Sequence, residues 1–461
     1  MKKLIYFFIA VFLGANSINA KQVTVNTAKQ VAENYILQNA KVKNLALTLS
    51  YTEKSSVNEA DYFVFDINNH SGFVIVSAED AGHPIIGYST ESSFSKPSVT
   101  ENPNFYFWME KRRKEIEFMR ANNVQANAEI INEWTGYSAN KLSPPTINTV
   151  TPLCQAIWDQ GSPYNSMCPG NSYTGCVATA MAITMKYWSY PAQGNGQSSY
   201  ASAYGTLSAN YGATTYNWAN MPVPAGSGSD VAKIMYHCGV SVEMMYSPSG
   251  SGAYVCDPVP SAENAYKTYF KYDPGLHCAD QTAYTTSAWI QLLESELNSG
   301  RPFNYQGVDP VQGGHVWVCD GFDASNNFHM NWGWSGYQNG YFAVTALQAD
   351  GMTFSQEMYA LIDIKPLGAT GIEDVTSVNS INIYPNPVTD FFTIEGKSVE
   401  KIHYTLYDAV GTEIKSADIF SSGNRIVSTV QLNDIASGIY FLQLNDGNNI
   451  VTKKLNINSN R

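Results

Sequence analysis

Apolar residues recur along this chain in two periods. Ala28, Val31, Tyr35 and Ile36 share one side of a helical turn, and Asn26 or Thr27 stands where a cap is needed. Phe105, Trp108, Met109, Ile116 and Met119 repeat the helical spacing. Between these stretches lie Asp61-Tyr62-Phe63-Val64-Phe65-Asp66-Ile67 and Gly72-Phe73-Val74-Ile75-Val76-Ser77. Both are rich in β-branched and aromatic residues, and only Asn68-Asn69-His70-Ser71 separates them, which predicts a hairpin. A small α+β unit follows from this pattern.

Further on, an apolar helix is expected from Gly175 to Trp188, then a stretch rich in Gly, Ser and Tyr, then strands near Val316 and Tyr341. Beyond Gly368 the pattern becomes alternation, as in Ile402-His403-Tyr404-Thr405-Leu406-Tyr407 and Ile439-Tyr440-Phe441-Leu442-Gln443-Leu444, with turn signals at Gly411-Thr412 and Asp446-Gly447. Cys and Trp disappear there. Short strands at close intervals predict a small all-β sandwich. Leu142-Ser143-Pro144-Pro145-Thr146 suits an exposed, cleavable linker. At the start, Met1-Lys2-Lys3, the apolar run Leu4 to Gly14 and a polar segment closing on Ala20 have the form of a signal peptide cut after Ala20. The expected units are therefore residues 1–20, 21–146, 147–367 and 368–461.

Composition agrees with several packed units. A chain of 461 residues exceeds what one core usually serves, and 44% hydrophobic against 14% charged residues describes globular material. A net charge of -12 offers no footprint for nucleic acid or an anionic membrane. The dense basic run Lys111-Arg112-Arg113-Lys114 is bounded by Glu110 and Glu115 and is expected to form a solvated helix face. After the signal no run approaches the ~20 apolar residues of a membrane span, so a soluble mature protein is expected. Cys154, Cys168, Cys176, Cys238, Cys256, Cys278 and Cys319 are odd in number, leaving at least one thiol without an intramolecular partner. No spacing is C-x-x-C, which argues against a zinc ribbon or thioredoxin-like site; disulfides and buried thiols both remain open for the others.

Four segments carry candidate chemistry. In Thr174-Gly175-Cys176-Val177-Ala178-Thr179 a thiol opens a helix that Thr174 could cap, where unpaired N–H groups favour thiolate and could hold an oxyanion. Gly313-Gly314-His315-Val316 delivers a histidine to the start of a strand, a rigid mount for a general base. Asn331-Trp332-Gly333-Trp334 offers an amide to orient an imidazole and an indole to shield it. Upstream, Gln160 in Trp158-Asp159-Gln160-Gly161-Ser162-Pro163-Tyr164-Asn165 could add an oxyanion donor. Each segment alone has a plainer explanation, as a buried cysteine, a structural histidine, a tight turn or a solvated glutamine.

Together the order Gln, Cys, His, Asn resembles that of papain-like cysteine proteases, and the four motifs resemble the streptopain family of secreted bacterial cysteine proteases. Ile234 to Gly239 and Tyr246 to Gly252 extend the likeness. The resemblance implies an α+β architecture: a papain-like cysteine protease domain, preceded by a small α+β inhibitory prodomain and followed by the sandwich. It assigns Cys176 as nucleophile, His315 as base, Gln160 as oxyanion donor, and Asn331 and Trp332 as supports of the histidine. Trp332 follows Asn331 directly, unlike papain, which leaves open whether side chain or carbonyl of Asn331 does the orienting. Met245, Tyr246, Ser249, Gly250, Ser251, Gly252, Gly313 and Gly314 are expected to border the substrate cleft. Tyr384-Pro385-Asn386-Pro387, Ile435 to Tyr440 and Lys453-Lys454-Leu455 resemble the C-terminal sorting domain of type IX secretion substrates. The expected partners are protein or peptide substrates, the chain's own prodomain and the secretion machinery. No metal or cofactor is called for, and neither H-E-x-x-H nor G-x-S-x-G occurs.

Overall fold

The computed structural model describes residues 22–40, 42–140, 149–224, 226, 229–309, 313–344, 357–368, 381–397, 401–408, 411–420, 425–432, 435–445 and 450–458. The signal peptide, the 142–146 linker and the Asp446-Gly447 turn lie outside these residues. The chain divides into two compact units, residues 1–368 and 369–461.

The first unit runs α1 (Val25–Asn39), β1 (Leu47–Lys54), β2 (Ala60–Ile67), β3 (Gly72–Ser77), β4 (Ile85–Ser89), α2 (Pro103–Ala121), α3 (Ala128–Ser138), α4 (Cys176–Trp188), β5 (Gln197–Ser202) and β6 (Gly205–Asn210). It continues through α5 (Val231–Ser241), α6 (Ala262–Thr268), β7 (His277–Asp280), α7 (Thr286–Asn298), β8 (Phe303–Asp309), β9 (Gly313–Phe322), β10 (Asn327–Asn331), β11 (Gly340–Ala343) and β12 (Glu357–Ile362). Ten of these strands form one sheet in the order β1-β2-β3-β4-β11-β10-β9-β8-β12-β7. Its seam is β4 against β11, where Tyr88 faces Tyr341 and Gly87 faces Phe342, so the N-terminal strands and the later ones share a single hydrogen-bonded layer.

Helices cover both faces. The expected hairpin is β2–β3, with Tyr62 opposite Ser77 and Ile67 opposite Gly72. α1 buries Ala28, Val31, Tyr35 and Ile36 as its period predicts, but its cap lies earlier than Asn26 or Thr27: the Thr24 hydroxyl accepts from the Thr27 N–H at 3.2 Å. Asn102 caps α2 by accepting from the Phe105 N–H at 3.0 Å, and Pro103 loses nothing at the first helical position. The aromatic stripe of α2 and Trp289 and Leu293 of α7 pack on Trp317, Cys319, Met330 and Trp332. α4 and α5 take the other face, against Val316, Val318 and Leu361. Successive residues of β9 therefore serve different cores.

The basic run of α2 is not a solvated face. Lys111 is 7% exposed and Arg112 fully buried, because this face of the helix lies inside the molecule. Arg112 pairs with Glu115 at 2.9 Å and stands 4.7 Å over the Trp108 ring, while burial brings the Lys111 pKa down to about 8.

The second unit holds β13 (Asn382–Tyr384), β14 (Phe391–Lys397), β15 (Lys401–Tyr407), β16 (Glu413–Phe420), β17 (Arg425–Gln431), β18 (Gly438–Asn445) and β19 (Ile450–Ile457). They form two sheets, β13-β14-β17 and β16-β15-β18-β19, and Phe392, Ile394, Leu406, Leu442 and Leu455 join in one core. This is the expected sandwich.

Candidate active site

Cys176 is the first residue of α4, but Thr174 is not its cap. Gly175 is, at φ 88°, and its carbonyl accepts from the Thr179 N–H at 3.0 Å. An L side chain is strained at that φ, so the position favours glycine. Thr174 instead joins its hydroxyl to that of Thr179 at 2.7 Å. With no side chain capping the helix, its first N–H groups stay available. Those of Cys176 and Val177, with that of Val316 from β9, face the sulfur. The residue is partly exposed, yet its thiol is withdrawn from water; burial pushes the thiol pKa up and the three N–H groups offset part of the rise.

His315 is the third residue of β9, not its first, and faces Gly307 of β8; Gly313 and Gly314 precede it in the strand, opposite Asp309 and Val308. Because α4 packs against β9, the thiol and the imidazole come from touching segments. Two residues of α2 lie over the histidine, and nothing local in the sequence had marked them. Phe107 stands 5.2 Å from its ring centre and fits because Gly307 lacks a side chain: a Cβ there would meet the phenyl ring at 2.4 Å. Asn104 donates from Nδ2 to the carbonyls of Val316 (2.9 Å) and Trp332 (2.8 Å). That fixes its amide orientation and leaves Oδ1 3.3 Å from His315 Nδ1 as an acceptor.

The remaining candidates divide. Asn331 does not reach the histidine with its side chain, which donates to the Ala156 carbonyl at 2.8 Å and accepts from the Gly333 N–H at 3.2 Å. Its neighbour comes closer through the backbone, since the Trp332 carbonyl shares Asn104 with His315. The Trp332 indole donates to the Gln338 carbonyl at 2.8 Å within an aromatic cluster including Phe105, Trp108 and Trp317. Gly333 rests on the Thr179 methyl, seating this turn on the first turn of α4. Gln160 is buried and its carbonyl accepts from the Thr174 N–H at 3.0 Å, two residues from the thiol.

In the glycine-serine loop, Met245, Ser249 and Gly250 are exposed and Gly252 bridges to Met245. The Ser251 hydroxyl staples the loop by donating to the Tyr173 carbonyl at 2.7 Å. Tyr246 differs from its neighbours: alternation along the extended backbone turns it inward, 6% exposed and stacked on Tyr236, with its hydroxyl over Gly239.

Comparison with known proteins accounts for most of the chain. Residues 158–342 match the model of the peptidase C10 family, residues 20–116 the Spi protease inhibitor and residues 382–458 the secretion system C-terminal sorting domain. The chain belongs to the peptidase C10 family. It is 28% identical over 399 residues to streptopain of Streptococcus pyogenes, covering 77% of this chain and 96% of that one. It is 27% identical over 396 residues to the thiol protease/hemagglutinin PrtT of Porphyromonas gingivalis, covering 79% of this chain but only 44% of that one. The structure of a fragment of Prevotella intermedia prointerpain A superposes with a TM-score of 0.56 at 29% identity, over 70% of this chain and all of the fragment. This C10 chain is thus a cysteine protease carrying an inhibitor prodomain, consistent with a zymogen, and a tail that marks it for secretion or display at the outer-membrane surface. No helix among the described residues is long and apolar enough to cross a membrane.

The seam between the two matched regions holds a buried charge relay. His329 of β10 bonds Asp320 through Nδ1 at 2.5 Å and Glu91, just beyond β4, through Nε2 at 2.6 Å. Tyr341 packs on the ring at 5.2 Å, and Asp320 also accepts from the Cys154 N–H. Burial alone would lower the imidazole pKa, but Asp320 and Glu91 outweigh it and hold it at about 9; Glu91, bonded to His329, is lowered. Raised, the histidine stabilises the fold fully below its free value of ~6.5 and loses that contribution as pH climbs through about 9. Lowered, Glu91 contributes above its free value of ~4.3 and is lost as pH falls through its depressed pKa. The seam is tightest between those limits. In a Cys176→Ala precursor, Glu91→Gln is expected to cost about 1 kcal/mol near pH 6, allowing for the exposure of Glu91, and to flatten the decline toward pH 10. Denaturant unfolding across pH 5–10 checks this; parallel curves for the two proteins would refute it.

Proposed function

We propose that this C10 chain is a secreted cysteine endopeptidase in which Cys176 is the nucleophile and His315 the general base, held silent by residues 21–146 until cleavage in the 140–150 region. One observation carries the reading: α4, which opens on Cys176, packs against β9, which carries His315. His315 takes the thiol proton and the thiolate attacks the scissile carbonyl, giving a tetrahedral oxyanion that the Cys176 N–H and Gln160 receive. Collapse breaks the C–N bond as His315 protonates the departing amine, and water, deprotonated by His315, hydrolyses the thioester to acid and free thiol.

Asn104 supports the zymogen reading. It occupies the Nδ1 side of the imidazole and the Trp332 carbonyl together, so its withdrawal frees that carbonyl to accept from Nδ1–H. On this reading Trp332 positions the base through its backbone, and Asn331 braces the turn. Protein and peptide chains are the substrates, with apolar contact offered by Met245.

The state of the thiol tests the proposal. In the precursor, alkylation of Cys176 by iodoacetamide should rise with pH only toward and beyond the ordinary thiol range, since burial holds its pKa up. After activation, pairing with His315 should move that rise well below neutrality, and His315→Ala should return it to the precursor range. An activated enzyme whose thiol still titrates as in the precursor would sink the assignment.

A further inference from the structure

Cys256 and Cys278, 22 positions apart, are joined in a disulfide, while Cys154, Cys168, Cys238 and Cys319 are buried free thiols. Neither bridged residue belongs to the machinery above. What makes the bridge consequential is the path of the chain into Cys256. The segment Ser251–Cys256 begins beside the nucleophile, where the Ser251 carbonyl stands 3.1 Å from the place a Gly175 side chain would occupy. It ends beside β8, the strand paired with the one that carries the base, where the Cys256 sulfur lies 4.0 Å from Gln306 Oε1. This is a contact and not a hydrogen bond, because a disulfide sulfur carries no proton.

Gln306 in turn faces Val316 across β8 and β9, and its Nε2 is 3.5 Å from where a side chain at Gly314 would start. Six residues thus run from the helix of the thiol to the strand paired with that of the imidazole, along one rim of the cleft between them. The far end is moored twice. The carbonyls of Tyr254 and Val255 accept from Ala262 and Glu263 at the start of α6, at 3.0 and 2.9 Å. Cys278 sits in β7, where it faces Leu361 of β12. Met245 and Tyr254 remain exposed on this rim, apolar surface for a bound chain to cover.

We propose that the Cys256–Cys278 disulfide is a clamp on the substrate cleft: it holds Ser251–Cys256 in the position along which an extended peptide lies, and so sets peptide affinity without touching the thiol–imidazole chemistry. The inference rests on the function proposed above. Opening the clamp takes two electrons and two protons from a dithiol such as dithiothreitol, which leaves as its cyclic disulfide while Cys256 and Cys278 become thiols. The hydrogen bonds of Tyr254 and Val255 then remain, but the rim loses its covalent tie to the sheet edge.

The experiment uses the activated enzyme in a monothiol buffer that keeps Cys176 free, then with graded dithiothreitol, following the bridge by thiol count. On opening, KM for an extended peptide should rise about tenfold and kcat stay within about twofold, because a contact made equally in ground and transition states has gone. Alkylation of Cys176 by iodoacetamide, too small to use the rim, should stay within about twofold, and reoxidation should restore KM. A Cys256→Ser, Cys278→Ser protein should show the raised KM from the start and ignore dithiothreitol. An unchanged KM with the bridge open overturns the clamp, as does a joint fall of kcat and alkylation rate, which would mean general loosening. Failure of Cys176 to alkylate below neutral pH with the bridge intact would instead strike at the catalytic assignment.

Discussion

Cys176→Ala should reduce kcat for peptide hydrolysis by about a millionfold, to the residual set by binding and oxyanion contacts alone. The nucleophile supplies the covalent route, and the backbone N–H groups of Cys176, Val177 and Val316 that favour its thiolate stabilise an anion but cannot attack a carbonyl. His315→Ala should fall almost as far, and the double variant scarcely further, since base and nucleophile act as one unit. Cys176 is the smallest part of its own setting, so the variant should keep the fold, and the precursor should stay at full length. Peptide hydrolysis followed to its detection limit, with circular dichroism as the control for folding, checks this. More than about a hundredth of wild-type activity would remove Cys176 from the nucleophile's role.

Much of this site could be read in the sequence because its chemistry is locally encoded. A thiol at a helix start, a histidine after two glycines and the N-W-G-W turn are signatures of a few residues each, and those segments do meet: Cys176 packs against the cluster that holds Val316, and Gly333 rests on Thr179. The stripes of α1 and α2 were equally plain, since burying one side of a helix leaves a period in the chain. The misplaced caps are a different matter. Thr174 and Thr27 carry the right chemistry, but Gly175 and Thr24 are where the backbone leaves the helix, and that is set by what packs around the turn.

What stayed hidden depends on residues far apart in the chain. Lys111 and Arg112 read as a solvated face because nothing nearby reports that α2 will be laid on β8 and β9, some two hundred residues away. The continuous sheet across Tyr88 and Tyr341 leaves no signal, as a paired edge strand looks locally like a solvated one. Tyr246 turned inward because the Met245–Gly252 bridge fixes which alternate residues point out, and that register is not written in the loop. The disulfide is the same case: seven cysteines allow many pairings, and only three-dimensional distance selects Cys256 with Cys278.

Asn104 is the long-range contact with the largest functional consequence. Replaced by alanine, it should raise the early peptidase activity of the intact precursor about a hundredfold. Its side chain is fully buried and makes two donations to backbone carbonyls and one contact to the imidazole, 212, 228 and 211 positions away. Each such bond is worth about 1 kcal/mol net, and the Val316 and Trp332 carbonyls would be left in the protein without this donor while the prodomain stays on. A loss of roughly 3 kcal/mol from the silent arrangement is about a hundredfold in its equilibrium with an active one. Asn104→Asp separates this account from a mere loss of packing. It keeps the size but presents only acceptors to two carbonyls, so it too should leak activity, whereas if volume alone mattered it would stay as silent as wild type. Initial rates on a short peptide amide, measured before any shortened form appears on a gel, give the answer. An Asn104→Ala precursor as quiet as the parent would place the inhibition in Phe107 and the shared sheet instead.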